Sequence, residues 1–299
     1  MKRRSWTILR KGSMGSNNSY DNNYIRISPN RSWTDLRLNE VWRYRDLILL
    51  FTKRSFTLTY AQTILGPLWL FLNPFLTSVM FTLLFGYIAG IQTPGVPMLL
   101  FYLCSTAVWN FYSACVSGNA FTFVSNAYLF GKVYFPRLTI PVSQVLAFLI
   151  RFLIQMLMVL VMLLYYCNAG RVHPRFELWI VLPFILIQLG IMGMGIGIII
   201  SSLTTKYRDL SVLVGFGMQL WMYSTPVVYP LSQLPQEWMQ TAALCNPVTA
   251  PVELFRLIIL GEGSFLPESY VWSLIFTLLV AVLGMVIFNR VEQTFLDTV

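Results

Sequence analysis

The sequence predicts an all-α integral membrane protein with six transmembrane helices, and its composition and charge distribution predict this fold class. Of the 299 residues, 56% are hydrophobic and 11% are charged, whereas about a quarter of the residues in a soluble domain are charged. Residues 55–131 contain no Asp, Glu, Lys, Arg or His, and this stretch is long enough for two crossings of about 20 residues each. The net charge of +9 does not indicate nucleic-acid binding. Twelve of the 21 Lys and Arg lie in the first 54 residues, as in cytoplasmic segments of membrane proteins.

The N-terminal part of the chain is predicted to stay in the cytoplasm. Residues 1–33 are rich in Ser, Asn and Arg and have no apolar periodicity, so we expect a disordered tail. Residues 34–54 form an amphipathic helix that is too charged to span a bilayer. Its apolar residues recur at helical spacing: Val41, Tyr44, Leu47, Ile48 and Phe51. We expect this helix to lie in the membrane interface; an ordinary solvated helix is the alternative.

Six apolar segments between residues 55 and 290 are long enough to cross a bilayer. They are residues 68–90, 98–124, 142–166, 178–203, 210–228 and 270–288. With the N-terminus inside, the cytoplasmic segments contain seventeen Lys and Arg and the outer loops contain three. The positive-inside rule therefore predicts that both termini, including residues 291–299, are cytoplasmic.

Two shorter apolar segments precede the last span. They are residues 234–244 and 248–260. Asn246-Pro247 separates them, because a residue before proline avoids the helical region. We expect an external re-entrant helix pair, which a bilayer tolerates where protein buries the helix ends. The alternative is an amphipathic pair lying flat on the outer surface, with Glu253 and Arg256 facing water.

Charged residues return to the sequence between the second and third spans. The segment at residues 126–136 contains Lys132 and is followed by Arg137. Its aromatic residues are Tyr128, Phe130, Tyr134 and Phe135. These residues can form a short amphipathic helix whose aromatic side chains suit a protein interface. We interpret it as a cytoplasmic docking element for a separate motor subunit; an ordinary connecting loop is the alternative.

The sequence shows no energy source and no enzyme site of its own. It contains no GxxxxGK[ST] phosphate-binding loop, and no paired acids lie in the spans, as an ion-coupled carrier usually requires. His173 has no partner at metal-ligand spacing, and the four cysteines show no CxxC motif, so no metal site is expected. The sequence leaves open whether Cys167 and Cys245 form a disulfide. A passive channel, a receptor or the membrane half of a motor-driven machine remain, and the docking segment favours the last.

Residues 60–69 read YAQTILGPLW and are followed by Asn73-Pro74. This stretch resembles the start of the first span in the membrane subunit of type-2 ABC exporters of lipid-linked polysaccharides, such as O-antigen, capsule or teichoic acid precursors. Residues 126–136 resemble the coupling helix of that family, and Asn246-Pro247 with Glu253 and Arg256 resembles its external gate. The resemblance covers residues 36–290 through the order and spacing of these features.

The resemblance implies a homodimer of this chain with two copies of a cytoplasmic ATP-binding subunit. ATP and Mg would bind to that subunit, so this chain would hold no cofactor and would not itself be an enzyme. The substrate would be a polyprenyl-diphosphate-linked glycan, moved outward from the cytoplasmic leaflet of a bacterial inner membrane. The other partners of this chain would be membrane lipids and not nucleic acid. A small drug or a lipid is the alternative substrate for the same fold.

A glycan needs a lining that is free of charge and rich in aromatic rings, because rings stack on the apolar faces of sugars. The candidates are Phe75, Phe81, Tyr102, Trp109, Asn110, Tyr112, Asn119, Trp221 and Tyr223. Packing and membrane-interface roles are the alternative for these residues. Arg151 lies about 15 Å along the third span, a costly depth for a charge. We expect it to meet the substrate diphosphate or a polar groove; snorkelling or contact with backbone carbonyls is the alternative.

Small residues indicate where helices pack closely. Gly193 and Gly197 form a GxxxG step in the fourth span, with Gly195 between them, and this pattern predicts close helix packing. Gly215 and Gly217 in the fifth span predict the same. By analogy with the resembled family, the dimer seam would involve the first and fifth spans.

Overall fold

A computed structural model describes residues 38–60, 64–93, 95–126, 128–129, 135–204, 207 and 209–298, with side chains from 41 to 290. These residues form helices and connecting turns, and no strand occurs among them. The predicted all-α class is therefore confirmed for the described part of the chain. The predicted N-terminal tail, residues 1–33, lies outside it.

Eleven α-helices follow one another in the described residues. They are α1 (Leu38–Arg43), α2 (Arg45–Tyr60), α3 (Trp69–Phe81), α4 (Met98–Asn119), α5 (Thr122–Ser125), α6 (Thr139–Asn168), α7 (Leu182–Thr204), α8 (Leu210–Ser224), α9 (Glu237–Cys245), α10 (Thr249–Leu260) and α11 (Pro267–Thr298). A 3₁₀ turn at Gly66–Leu68 leads into α3, a π-helical stretch at Thr82–Ile88 continues it, and a 3₁₀ stretch at Phe176–Val181 leads into α7.

Five of the six predicted spans are confirmed as helices that are long and apolar enough to cross a membrane. They are Gly66–Ile88, Met98–Asn119, Thr139–Asn168, Phe176–Thr204 and Pro267–Arg290. The predicted second span was too long, because the helix ends at Asn119 and the short α5 follows. The chain is thus built from long apolar helices, as a multi-pass membrane protein requires.

The fifth predicted span is shorter than expected. Residues 210–228 were predicted as one helix, but α8 ends at Ser224 after 15 residues, a length of about 22 Å. Thr225 is extended, with φ −97° and ψ 142°, because Pro226 follows and disfavours the helical conformation of the residue before it. The predicted end of this span was therefore wrong by four residues.

Helix α2 packs along the third span. Thr52 Oγ1 lies 3.2 Å from the Ser143 carbonyl oxygen, and Arg151 Nη2 donates to Thr59 Oγ1 at 2.6 Å. Both contacts advance in the same direction along the two helices, so α2 and α6 run parallel. The helix also continues to Tyr60, six residues past the predicted end. Placement of its apolar face in the membrane interface stays a prediction.

The glycines of α7 let it approach two other helices closely, as the sequence predicted. A Cβ added at Gly193 would lie 2.7 Å from Cys115 Cβ, and one at Gly197 would lie 2.6 Å from the Val116 carbonyl oxygen on α4. On the other side of α7, a Cβ at Gly195 would lie 2.9 Å from the Val280 carbonyl oxygen on α11. Helix α7 is therefore held between α4 and α11 by backbone contact.

The glycines of α8 behave differently. In the described part of the chain, no atom outside the local helix backbone lies within 4 Å of a Cβ built on Gly215 or Gly217. The neighbouring apolar side chains Val212, Leu213 and Phe216 are exposed. The prediction of close packing at these two glycines is therefore wrong for contacts within the single chain.

All four cysteines are free thiols, so the disulfide between Cys167 and Cys245 is not formed. Cys167 Sγ instead contacts the Val172 carbonyl oxygen at 3.2 Å, within the loop that follows α6. Among the residues that the structure describes, no group of three or more His, Cys, Asp or Glu could hold a metal ion.

Candidate functional site

The predicted docking segment is only partly within the described residues. Phe130, Lys132 and Tyr134 lie outside them, so a coupling helix at residues 126–136 stays a prediction. Tyr128 is 70% exposed. It follows α5 by a tight turn, in which Leu129 N donates to the Asn126 carbonyl oxygen at 3.0 Å. Tyr128 therefore presents an aromatic side chain to its surroundings, as a docking residue must.

Phe135 and Arg137 differ from Tyr128 because both are buried. The Phe135 ring lies 5.7 Å from the Phe51 ring of α2. It belongs to an apolar cluster with Phe123, Ile140, Ile198 and Phe288. The end of the predicted docking segment is thus packed against α2 and the helix bundle.

The predicted external gate is a sharply bent helix pair. Helices α9 and α10 meet at 97°, and Asn246 is extended, with φ −71° and ψ 119°, because Pro247 follows it. The predicted break is therefore confirmed. The bend is compatible with a re-entrant pair or with one broken span, and the re-entrant arrangement stays a prediction.

Glu253 and Arg256 form a buried ion pair on α10. Their side chains are 3% and 2% exposed, and Arg256 Nη2 donates to Glu253 Oε1. Every residue of α10 is buried. The alternative that placed the Glu253 and Arg256 charges in water is therefore wrong.

The Arg256 guanidinium also links the elements around α10. Its Nη1 donates to the Pro226 carbonyl oxygen at 2.9 Å, and its Cζ lies 4.6 Å from the centroid of the Phe101 ring. Glu253 Oε2 accepts from Ser264 N at 3.4 Å. The ion pair thus holds together the end of α8, the start of α4 and the loop before α11.

Asn246 makes a second link at the same end of the molecule. Its Oδ1 accepts from Trp221 Nε1 at 3.1 Å and from Val248 N at 3.1 Å, while its Nδ2 donates to Thr225 Oγ1 at 2.9 Å. The break between α9 and α10 is therefore bonded to the last turn of α8.

Sequence analysis missed a polar chain beside Pro247. Gln188 Nε2 donates to Ser273 Oγ at 2.8 Å, and Ser273 Oγ donates to the Pro247 carbonyl oxygen at 2.5 Å. Gln188 and Ser273 are buried polar residues inside apolar spans. Such residues need hydrogen-bond partners in a bilayer, and a search for polar side chains within the apolar spans would have found them.

The nine candidate pathway residues are not equally placed. Tyr102, Trp109, Tyr112 and Asn119 are buried within the chain, so their side chains do not line a surface in this conformation. Tyr112 packs edge-on against Trp221 at 5.6 Å. The half-buried residues are Phe81 and Trp221, and the exposed residues are Phe75, Asn110 and Tyr223.

Arg151 lines a cavity, and among the described residues it makes no hydrogen bond to a backbone carbonyl. The cavity has a volume of about 460 Å³ and is lined by residues of α2, α3, α4 and α6. The guanidinium lies 5.2 Å from the Phe148 ring and 5.7 Å from the Tyr60 ring. Burial raises the pKa of the Tyr60 phenol above its usual value, and the nearby Arg151 charge offsets only part of this rise. This hydroxyl therefore stays protonated at neutral pH.

Comparison with known proteins places this arrangement in a family. Residues 46–260 match the family described as ABC-2 type transporter. The chain is 28% identical over 255 residues to the O-antigen export system permease protein RfbA of Klebsiella pneumoniae, covering 84% of this chain and 94% of that protein. It is 29% identical over 225 residues to the protein of that name from Myxococcus xanthus, covering 74% and 83%. Because the family match runs from α2 to the end of α10, this multi-pass membrane chain belongs to the ABC-2 type transporter family.

Proposed function

We propose that this chain is the membrane subunit of an ATP-driven exporter of a polyprenyl-diphosphate-linked polysaccharide. The glycan would move from the cytoplasmic side across the inner membrane, with both termini of the chain in the cytoplasm. The observation that carries this proposal is the similarity to O-antigen export permeases, which covers 84% of this chain and 94% of the relative. O-antigen is therefore the first glycan to test, before capsule or teichoic acid.

Deletion of the gene in its host tests this function. Surface polysaccharide is expected to be lost, and lipid-linked polysaccharide is expected to accumulate inside the cell. Expression of the intact chain should restore the surface polymer. A deletion strain with normal surface polysaccharide and a new sensitivity to a small drug would support the small-substrate alternative instead.

The motor would be a separate protein. Two copies of this chain would assemble with two ATP-binding subunits, which would hold ATP and Mg. Membership of the ABC-2 type transporter family supports this assembly. The exposed Tyr128 and the fixed Phe135 support residues 126–136 as the place where the motor acts.

Replacing Tyr128 by alanine is expected to weaken the bond to the motor without changing the fold. Tyr128 is 70% exposed, so stability should stay within about 0.5 kcal/mol. A tyrosine at the centre of an interface contributes about 2 kcal/mol or more, which corresponds to a roughly 30-fold loss of affinity. The measurement is the amount of ATP-binding subunit that copurifies with a fixed amount of inserted chain.

Two matched variants make this result specific. Tyr87→Ala changes another exposed tyrosine, which lies at the C-terminal end of the first span. This variant should leave copurification unchanged. Phe135→Ala removes a buried ring and should lower stability by about 3–5 kcal/mol. Full copurification with Tyr128→Ala would remove Tyr128 from the docking surface.

The glycan pathway is expected to depend on the exposed aromatic residues. Phe75→Ala and Tyr223→Ala should each lower export about fivefold per inserted transporter, corresponding to about 1 kcal/mol of lost aromatic contact. Leu278→Ala, an exposed change on α11, is the control. Tyr102→Ala should instead lower stability, because Tyr102 is buried. Normal export with either Phe75→Ala or Tyr223→Ala would remove that residue from the pathway.

A further inference from the structure

The cavity beside Arg151 combines side chains from four helices. Its volume is about 460 Å³, and it lies between the C-terminal end of α2 and the helices α3, α4 and α6. Its polar lining residues are Tyr60, Asn73, Thr77, Asn110, Arg151 and Gln155. No acidic residue is among the lining residues that the structure describes. The cavity therefore offers hydrogen-bond donors and one positive charge.

Two of these donors are buried without a partner. Arg151 Nε and Gln155 Nε2 make no hydrogen bond in the described structure, and Gln155 is only 7% exposed. They stand one helical turn apart on α6, so they lie on the same face. Buried donors are normally bonded, so two unbonded donors that line one cavity are available to a ligand with acceptor oxygens.

The remaining contacts hold the guanidinium in place. Arg151 Nη2 donates to Thr59 Oγ1 at 2.6 Å, and the Phe148 and Tyr60 rings lie 5.2 Å and 5.7 Å from Arg151 Cζ. Rings at this distance attract a cation. The side chain is thus oriented by α2 and α6 while its Nε is left for a ligand.

The position of the cavity favours the head of a lipid. Lys53 and Arg54 are exposed on α2, and Lys53 precedes Thr59 by six residues, or about 9 Å along the helix. Cations such as Lys53 and Arg54, placed near the surface of a bilayer, attract anionic headgroups. Trp69 and Leu70 form an apolar wall of the same cavity, and the Trp69 side chain is exposed. When the phosphate of a lipid lies in the cavity, the hydrocarbon chain of that lipid can therefore extend along α3.

We propose that this cavity binds the phosphate or diphosphate head of a lipid from the cytoplasmic leaflet. Arg151 Nε and Gln155 Nε2 donate to the phosphate oxygens, and the Asn73 and Asn110 amides complete the polar lining. Two lipids offer this chemistry: an ordinary phospholipid and the polyprenyl-diphosphate carrier of the exported glycan. The second source rests on the proposed function; the first does not.

Binding to the full-length chain in a phosphate-free detergent tests the site. Farnesyl diphosphate is the probe, farnesol is the matched alcohol without phosphate, and native mass spectrometry gives the affinities. We expect farnesyl diphosphate to bind at least tenfold more tightly than farnesol. Arg151→Gln and Gln155→Leu should each reduce the affinity for farnesyl diphosphate about tenfold.

Control variants separate loss of the site from loss of the fold. Arg171→Gln removes an exposed cation in the outer loop and should bind as the wild type does. Arg151→Lys keeps the charge and should retain more affinity than Arg151→Gln. The proposal is overturned by equal binding of farnesol and farnesyl diphosphate, or by wild-type affinity in both Arg151→Gln and Gln155→Leu.

Competition with phosphatidylglycerol distinguishes the two lipid sources. Displacement of farnesyl diphosphate at equal concentration supports a general phospholipid site, and resistance to displacement supports a site for the carrier lipid. The function is tested separately by surface polysaccharide in the deletion strain. If the chain binds farnesyl diphosphate but the deletion strain keeps its surface polysaccharide, only the exporter assignment is overturned. If the chain is needed for export but does not bind farnesyl diphosphate, only the proposed lipid site is overturned.

Discussion

Replacing Arg256 by alanine is expected to lower the free energy of unfolding by about 3–5 kcal/mol, because the change leaves the Glu253 carboxylate buried without its partner. Both side chains are less than one-twentieth exposed, at 2% for Arg256 and 3% for Glu253. The variant also loses the 2.9 Å hydrogen bond from Arg256 Nη1 to the Pro226 carbonyl oxygen. The measurement is thermal unfolding of the full-length chain in detergent.

The double variant Glu253→Leu with Arg256→Met gives a sharper version of this test. Replacing a buried ion pair by apolar residues of similar volume is often nearly neutral, so the double variant should be more stable than Arg256→Ala alone. Arg171→Ala, at an exposed position, should have no effect. If Arg256→Ala unfolds at the same temperature as the wild type, the ion pair of Glu253 and Arg256 does not stabilise the contacts between α10, α8 and α4.

A functional consequence follows from the elements that the pair joins. The Arg256 guanidinium connects α10 with the end of α8 through Pro226 and with α4 through Phe101. Asn246 bonds the other end of the bent pair to Trp221 and Thr225. The bent helix pair and the end of α8 are therefore tied together by hydrogen bonds, so we expect a displacement of α8 to be transmitted to the bent helix pair.

The sequence was a good guide where one property decides the structure. Length and apolarity predicted six spans, and five of them are confirmed, because a bilayer leaves the backbone few alternatives to long helices. The rule for residues before proline predicted the break at Asn246. The same rule holds at Thr225, where Pro226 ends α8 four residues before the predicted end of the span.

The sequence was a poor guide where the answer depends on which face of a helix meets a neighbour. Polar and apolar residues of α4 are not sorted onto separate faces, so its pattern does not show that Tyr112 and Asn119 are buried while Asn110 is exposed. Glu253 and Arg256 have the spacing of an ordinary surface pair. Only the packing of Phe101 and of the Pro226 carbonyl group around them shows that they are buried.

The helix crossing at Gly197 gives the second large effect. An alanine Cβ at this position would lie 2.6 Å from the Val116 carbonyl oxygen and 2.6 Å from Asn119 Cβ, so α4 and α7 would have to move apart. Gly197→Ala is therefore expected to cost about 1–3 kcal/mol by overpacking, although alanine is favoured over glycine in a helix by about 1 kcal/mol. The measurements are the unfolding temperature and the amount of inserted chain.

Gly215→Ala is the matched control, because nothing in the described part of the chain beyond the local helix backbone lies within 4 Å of the added methyl group. Only the helix propensity changes within the chain, so this variant should be neutral or more stable by up to about 1 kcal/mol. Equal stability of Gly197→Ala and the wild type would contradict the close approach of α4 and α7. Light scattering adds a separate readout: if Gly215→Ala lowers the oligomeric mass without lowering the unfolding temperature, α8 packs against a second copy. The two substitutions therefore separate packing within one chain from packing between chains.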